Sequence, residues 1–126
     1  MQRLRRIKQL GCVNIVFHGA EHSRFTHSLG VYELARRFFE TNNKLLERKK
    51  IFDFREKLLL LTTALLHDIG HGSYSHIFET IFNTNHEQKS AQIIINHPEI
   101  VSILDSIDVE FKFDVASMGE KRCLKH

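Results

Sequence analysis

The chain has no tryptophan, one proline (Pro98) and only two cysteines, Cys12 and Cys123. Cysteines so far apart form no metal-ligand pair by spacing. A reducing compartment is therefore predicted, the cytoplasm or, in a eukaryote, the nucleus. No apolar run is long and uninterrupted enough to cross a bilayer, so no membrane partner is expected. Internal repeats and low-complexity tracts are missing too. The Arg-rich start, Met1 to Leu10, lacks the serine content of an organelle-targeting peptide. What is left is 126 residues with 42% apolar and 26% charged side chains. That is the balance of one folded domain rather than of a disordered chain. Ten phenylalanines predict a core built with Phe, Leu and Ile.

Histidine is what the chain has in excess: nine residues. His67, His71 and His76 fall within ten positions, and His18, His22 and His27 within another ten. That density calls for a metal or an anion as its partner. The formal net charge is +3, with Arg3, Arg5, Arg6 and Lys8 at one end and Lys121, Arg122 and Lys125 at the other. This fits an anionic ligand, a nucleotide included. Basic ends without interleaved aromatics or a recognised motif speak against nucleic acid.

The apolar periodicity predicts an all-α fold. Leu4, Ile7 and Leu10 share a face of a short helix over 2–10, closed by Gly11. Residues 11–24 form a loop with a turn at His18-Gly19-Ala20. A helix over 25–40 buries Val31, Leu34, Ala35 and Phe38 and breaks at Asn42-Asn43, and residues 44–54 are a charged connection with room for a short helix. The helix over 55–69 is apolar on nearly every side, the mark of a bundle centre, and ends at Gly70 as its C-cap. Ser73 caps a helix to Phe82, another spans 85–96 and stops at His97-Pro98, and a last one spans 99–107. Val13–Phe17 and Val109–Val115 alternate like short strands but have no obvious partners.

His67-Asp68 stands where the apolar helix meets the turn Asp68-Ile69-Gly70-His71-Gly72. A carboxylate is unfavourable there, because the helix C-terminus already carries partial negative charge. A divalent cation removes that conflict and uses one nitrogen and one oxygen donor, a mixed set suited to Mn, Fe, Ni, Zn or Mg. Taken alone, the pair is better explained as a capping histidine beside a solvated aspartate.

Its surroundings shift the balance. Gln2 to Gly11 (QRLRRIKQLG), Ser23 to Val31 (SRFTHSLGV), Leu66 to Gly72 (LHDIGHG), Ser75-His76 with Phe78, and His86-Glu87-Gln88 occur in order along the chain. With these words the chain resembles the HD superfamily of metal-dependent phosphohydrolases. Within it the likeness is to the dNTP triphosphohydrolase branch, which includes the sterile-alpha-motif-linked enzyme of animals and bacterial relatives.

The resemblance implies an HD-domain helical bundle, present in part, over residues 1–115, followed by a tail over 116–126. It implies that His27, His67 and Asp68 ligate one divalent metal ion. It implies that Arg24 binds substrate phosphate, that Gln9 and Leu10 lie against the nucleotide sugar, and that His71 and His76 lie near the phosphates. His86 and Glu87 resemble a pair in which a carboxylate orients a histidine. Together His71, His76, His86 and Glu87 are the catalytic candidates. Gln2, Arg3 and Arg5 resemble part of an activator-nucleotide site between subunits, which implies a homo-oligomer. The implied reaction is hydrolysis of a deoxynucleoside triphosphate to deoxynucleoside and tripolyphosphate.

The family's fourth ligand is an aspartate well downstream, in a word that also carries a tyrosine and a further aspartate. Asp105, Asp108 and Asp114 are available, but none has those neighbours. The chain is therefore expected to be a fragment, a mispredicted gene product, or a member that has lost part of the site. The alternative function is a catalytically impaired module that keeps metal or nucleotide affinity.

Overall fold

The structure, a computed structural model, describes residues 1–49 and 52–120. Among the described residues six α-helices follow one another: α1 (Arg24–Lys49), α2 (Phe54–Leu66), α3 (His76–Phe82), α4 (His86–Asn96), α5 (Pro98–Asp105) and α6 (Phe111–Glu120). The 3-10 helix Gln2–Arg6 and two short 3-10 turns precede them. None of the described helices is long and apolar enough to cross a membrane.

Local sequence explains where several helices start and stop. Asp53 accepts from the Glu56 amide while Glu56 accepts from the Asp53 amide, a reciprocal cap worth about 1 kcal/mol that starts α2. Asn85 accepts from the Glu87 and Gln88 amides and starts α4. Pro98, in the first turn of α5, separates α4 from α5 as the sequence predicts.

The core lies between α2, α4, α5 and α6. Leu66, Ile69, Ala91, Ile94, Leu104, Phe111, Val115 and Ala116 form one buried cluster. α4 packs most extensively on α6, and α1 on α2. α2 is central but not sealed: Leu58 to Leu65 are only half-buried, and one flank opens on an apolar cavity of about 330 Å³.

Several expectations fail for physical reasons. α1 does not break at Asn42-Asn43: the Asn42 amide donates back to the Phe38 carbonyl at 2.9 Å, so the side chain bonds along the helix. Residues 44–49, expected as a connection, continue α1, and Lys50-Ile51 lie outside the described residues. Its buried face is also not the most apolar one. Leu34 and Phe38 are exposed, while Arg24, Ser28 and Phe39 are buried, with Val31 and Ala35 half-buried on the same face. Arg24 is held inward by Asp68, just past the end of α2, and by Ser75, whereas Ser28 is buried on the same face with no side-chain hydrogen bond among the described residues.

Gly70 does not cap α2, which ends at Leu66 with His67 still in the right-handed region. Its need for glycine is close approach: a Cβ there would stand 2.2 Å from the His86 carbonyl oxygen and 2.4 Å from the Ser90 nitrogen. Ser90 takes up the capping task, donating to the His67 carbonyl and accepting from the Gly70 amide, both at 2.8 Å. Ser73 caps nothing, since α3 begins only at His76, after Ser75.

No strand occurs among the described residues. Val13–Ile15 is a 3-10 turn, residues 111–115 begin α6, and one isolated antiparallel bridge joins Lys8 to Ser23. The start is a 3-10 helix rather than an α-helix. Leu4 and Ile7 are buried as predicted, but Leu10 is half exposed. α6 continues through Ala116, which is buried, so residues 116–120, placed in the tail from the sequence, are helical. Residues 121–126 lie outside the described residues.

Candidate metal centre and its cavity

α2 delivers His67 and Asp68 at its C-terminal end, α1 delivers Arg24 and His27 from its first turn, and the bundle brings the two ends together. Asp68 is 4% exposed and Arg24 3%. The Arg24 Nη1 donates to Asp68 Oδ2 at 2.7 Å. His67 Nε2 and His71 Nε2 lie 3.3 and 3.5 Å from Oδ1, and His27 Nε2 lies 3.8 Å from Oδ2. Burial alone would raise the Asp68 carboxyl; the hydrogen bond from His71 and the Arg24 guanidinium outweigh it and hold it well below the usual range. Asp68 is thus a buried carboxylate at a helix C-terminus, kept ionised by its neighbours.

His27, His67 and Asp68 each offer one donor atom, and the three atoms lie within 4.8 Å of one another. The His67 Nδ1 stands 2.8 Å from the Ala64 carbonyl oxygen, which can only accept. Nδ1 therefore carries the ring proton, and a neutral His67 presents its Nε2 lone pair to Asp68 Oδ1, 3.3 Å away. Two facing lone pairs at that distance favour a cation. The donor set and the tied-down ring fit a divalent metal ion. Burial pushes the His27 imidazole down, which favours the neutral, ligating form, and Asp68 opposes this.

A second group adjoins the first. His71, His76 and His86 gather around Glu79, a residue the sequence reasoning missed. Glu79 Oε1 is 3.2 Å from His71 Nδ1 and 2.7 Å from His86 Nδ1, and Oε2 is 3.1 Å from His76 Nδ1. The His71 and His86 rings stack at 3.9 Å. Only the His76 contact has hydrogen-bond alignment; Glu79 Oε1, His71 Nδ1 and His86 Nδ1 are buried without a hydrogen bond among the described residues. Burial pushes the Glu79 carboxyl up, but the His76 hydrogen bond and the charges of His86 and His71 leave it below its ordinary value. Burial pushes His71 down, against its hydrogen bond to Asp68. The signal for Glu79 was present: it sits three residues after His76 on α3, the spacing at which helical side chains meet.

Both groups border one polar cavity of about 200 Å³, lined by Arg24, His67, Asp68, His71, His76, His86, Glu87 and Gly119. All four catalytic candidates, Arg24 and the metal candidates His67 and Asp68 line it, while His27 stands beside it, 3.8 Å from Asp68. Gln9 is half-buried, with its Oε1 lacking a hydrogen-bond partner among the described residues, and Leu10 is half exposed. Both stay near the site through the backbone, since the Ser75 hydroxyl lies 3.2 Å from the Gln9 carbonyl and Gly11 packs against Tyr74. Gln2, Arg3 and Arg5 divide. Arg5 donates to Gln2 at the surface and stacks on Phe25, whereas Arg3 turns inward and donates to the His71 carbonyl.

The available aspartates lie elsewhere. Asp105 pairs with Lys112, and Asp108 and Asp114 both pair with Arg55. Among the described residues, none of the three joins His27, His67 and Asp68.

A family model for the HD domain matches residues 24–121. The chain is 47% identical over 120 residues to the uncharacterized protein YwfO of Bacillus subtilis (strain 168), covering 95% of this chain and 27% of that protein. It is 36% identical over 133 residues to the deoxynucleoside triphosphate triphosphohydrolase SAMHD1 of Gallus gallus, covering 95% of this chain and 21% of that protein. Against SAMHD1 of Bos taurus the identity is 46% over 81 residues, 64% of this chain and 14% of that protein. The chain spans about a quarter of the length of the first two relatives. The family match runs through both segments that carry candidate metal ligands and covers most of the chain, and the chain belongs to the HD domain family.

Proposed function

We propose that this chain carries the metal-binding part of a phosphohydrolase that cleaves deoxynucleoside triphosphates to deoxynucleoside and tripolyphosphate. The observation that carries this reading is the tied-down His67. With Nδ1 held on the Ala64 carbonyl, its Nε2 is aimed at the Asp68 carboxylate beside His27, at the edge of a cavity lined by Arg24 and three further histidines. The similarity to SAMHD1, a deoxynucleoside triphosphate triphosphohydrolase by name, supports the substrate class.

His27, His67 and Asp68 would hold one divalent ion; Mn, Fe, Ni, Zn and Mg all suit a mixed nitrogen and oxygen set. Such an ion supplies Lewis acidity at a phosphoryl oxygen. Arg24 neutralises phosphate charge with a guanidinium already fixed by Asp68. The products require a water oxygen to bond to the α-phosphorus as the bond from that phosphorus to the sugar 5′-oxygen breaks, so a proton must reach the leaving oxygen. His76 is the proposed donor: its Nδ1 is anchored on Glu79, and its side chain is exposed on the cavity wall. His71 links the Asp68 and Glu79 carboxylates and keeps the two groups in register. Gln9 and Leu10 are assigned to the sugar, and Gln2 and Arg5 to an activator nucleotide at a subunit boundary. Arg3 is better placed to brace the His71 turn.

Incubation of the full chain with Mn²⁺ and each dNTP, followed by anion-exchange detection of tripolyphosphate, tests this reading. Release that disappears in His76→Ala, by about a hundredfold or more, is expected. No tripolyphosphate from any dNTP would refute turnover by this chain.

The second reading is a metal- or nucleotide-binding module without turnover. It is favoured by the pairing of Asp105, Asp108 and Asp114 with Lys112 and Arg55, away from the site. Chelation, reloading and metal analysis separate the two: one tightly held ion with no hydrolysis selects the module.

A further inference from the structure

The loop between Gly72 and α3 is held in an unusual shape. Among the described residues, Tyr74, Ser75 and Asn83 are the non-glycine positions with positive φ, and the first two are consecutive. Ser75 has φ 55° and ψ −128°, a combination that a side chain makes costly. It is 3% exposed. A strained, buried serine persists where its surroundings over-determine it, and here the surroundings are polar. The hydroxyl accepts from Arg24 Nε at 3.0 Å and donates to the Lys8 carbonyl at 2.9 Å, with the Gln9 carbonyl at 3.2 Å. Three separate segments therefore meet on one oxygen: the start of α1, the 8–9 backbone and the loop that leads into His76.

We infer that Ser75 is a positioning residue. By holding Arg24 Nε, it limits the guanidinium to a single-nitrogen contact with Asp68, leaving one carboxylate oxygen for a cation and one guanidinium nitrogen for an anion. This rests on the metal and phosphate roles proposed above. The geometry behind it is specific. Nε is engaged by Ser75 and Nη1 by Asp68 Oδ2, while Nη2 has no hydrogen-bond partner among the described residues on a side chain that lines the cavity. Asp68 Oδ1 stays clear of Arg24 and faces His67 and His71. Arginine prefers to grip a carboxylate with two parallel hydrogen bonds. Once the Ser75 hydroxyl is removed, the guanidinium can turn into that fork. It then covers Oδ1 and draws its free nitrogen away from the cavity.

The test uses two variants of the full chain. Ser75→Gly removes the hydroxyl and relieves the backbone, and Ser75→Ala removes the hydroxyl and keeps the strain. Mn²⁺ affinity is read by electron paramagnetic resonance titration, tripolyphosphate affinity on the Mn²⁺-loaded chain by calorimetry, and folding by thermal melting. Both variants are expected to lose about tenfold in each affinity, while Ser75→Gly melts at or above the wild-type temperature. Wild-type affinities in Ser75→Gly overturn the inference. So does a loss of affinity that appears only alongside a lowered melting temperature, because that is a purely structural role.

A third readout separates this inference from the functional one. The Arg24 Nε–H resonance in ¹⁵N spectra of the metal-free chain is expected to be protected from solvent exchange in the wild type and unprotected in Ser75→Gly. Equal protection in both overturns the positioning role, whether or not the chain hydrolyses a nucleotide.

Discussion

His27, His67 and Asp68 form one group of titratable side chains, and His71, His76, Glu79 and His86 form another beside it. Each contains one carboxylate among histidines, and His71 touches both carboxylates. The carboxylates are compensated differently. Asp68 has a permanent cation, Arg24, at 2.7 Å, both fully inside the protein. Among the described residues Glu79 pairs with histidines alone, and three of the buried atoms there, Glu79 Oε1, His71 Nδ1 and His86 Nδ1, lack hydrogen bonds. The first group is therefore electrostatically settled by the fold. The second has polar atoms that a bound ligand or a proton would still satisfy, which is the property expected of groups that move protons.

The sharpest way to break this contrast is Asp68→Ala. It leaves the Arg24 guanidinium buried without its partner, and a stability loss of about 3–5 kcal/mol is expected, together with loss of Mn²⁺ binding. Urea unfolding and metal titration check both. A near-wild-type midpoint would show that Arg24 escapes to solvent and that the pair is not what settles the first group.

Gly70→Ala strikes the joint between the groups. The added methyl would meet backbone atoms of His86 and Ser90, which have little room to yield. A cost of about 1–3 kcal/mol is expected from the forced shift of α4, with weaker metal binding because Ser90 no longer caps His67. Unchanged stability would mean that α4 is looser than the packing implies.

Glu79→Gln should cost less in stability, about 1 kcal/mol or under, because the second group is incompletely bonded already. Its main effect is expected on turnover and on the pH profile of turnover, since His76 loses the carboxylate that orients it. A large fall in melting temperature with intact turnover would invert the comparison.

The mildest effect is that of pH on the metal-free chain. His27 and His71 are pushed below their usual 6.5, so below that pH the unfolded chain takes up protons that the folded chain resists. Their contribution to stability is present above 6.5 and is lost as pH falls through their folded values. Asp68 and Glu79 are also depressed, and their contribution persists down to the ordinary carboxylate range and is lost below it. Denaturant midpoints in chelator are expected to decline in two stages, first below 6.5 and again below about 4. A single acid transition near 4 would show that the buried histidines are not held neutral.

Much of the site was legible before the fold. The ligand-bearing words are short and ordered, and α2, α4 and α5 lie close to where periodicity, Asn85 and Pro98 place them. Less visible were features set by long-range contact. The inward face of α1 follows Arg24 and Ser28 rather than its most apolar side chains. Glu79 became part of the site only when α3 turned toward α4. The strand-like alternation at 109–115 gave way to α6, because Phe111 and Val115 are four residues apart and both reach the core when helical.

The sequence by itself determined which chemistry is available. His27, His67-Asp68, Arg24, His71, His76 and His86-Glu87 are covalent facts, and their spacing along helices and turns sets which of them are local neighbours. The tertiary structure decided how each is used. Whether a histidine nitrogen carries a proton depends on which carbonyl or carboxylate lies opposite. Whether a carboxylate stays ionised depends on burial and on a guanidinium from a distant segment. His67-Asp68 is a pair of letters until Ala64 fixes the ring, Arg24 holds the carboxylate and Ser90 closes the helix end. The Ala64 contact is made within one helical turn, but the Arg24 and Ser90 contacts act across space at hydrogen-bond range, where separation along the chain sets no limit.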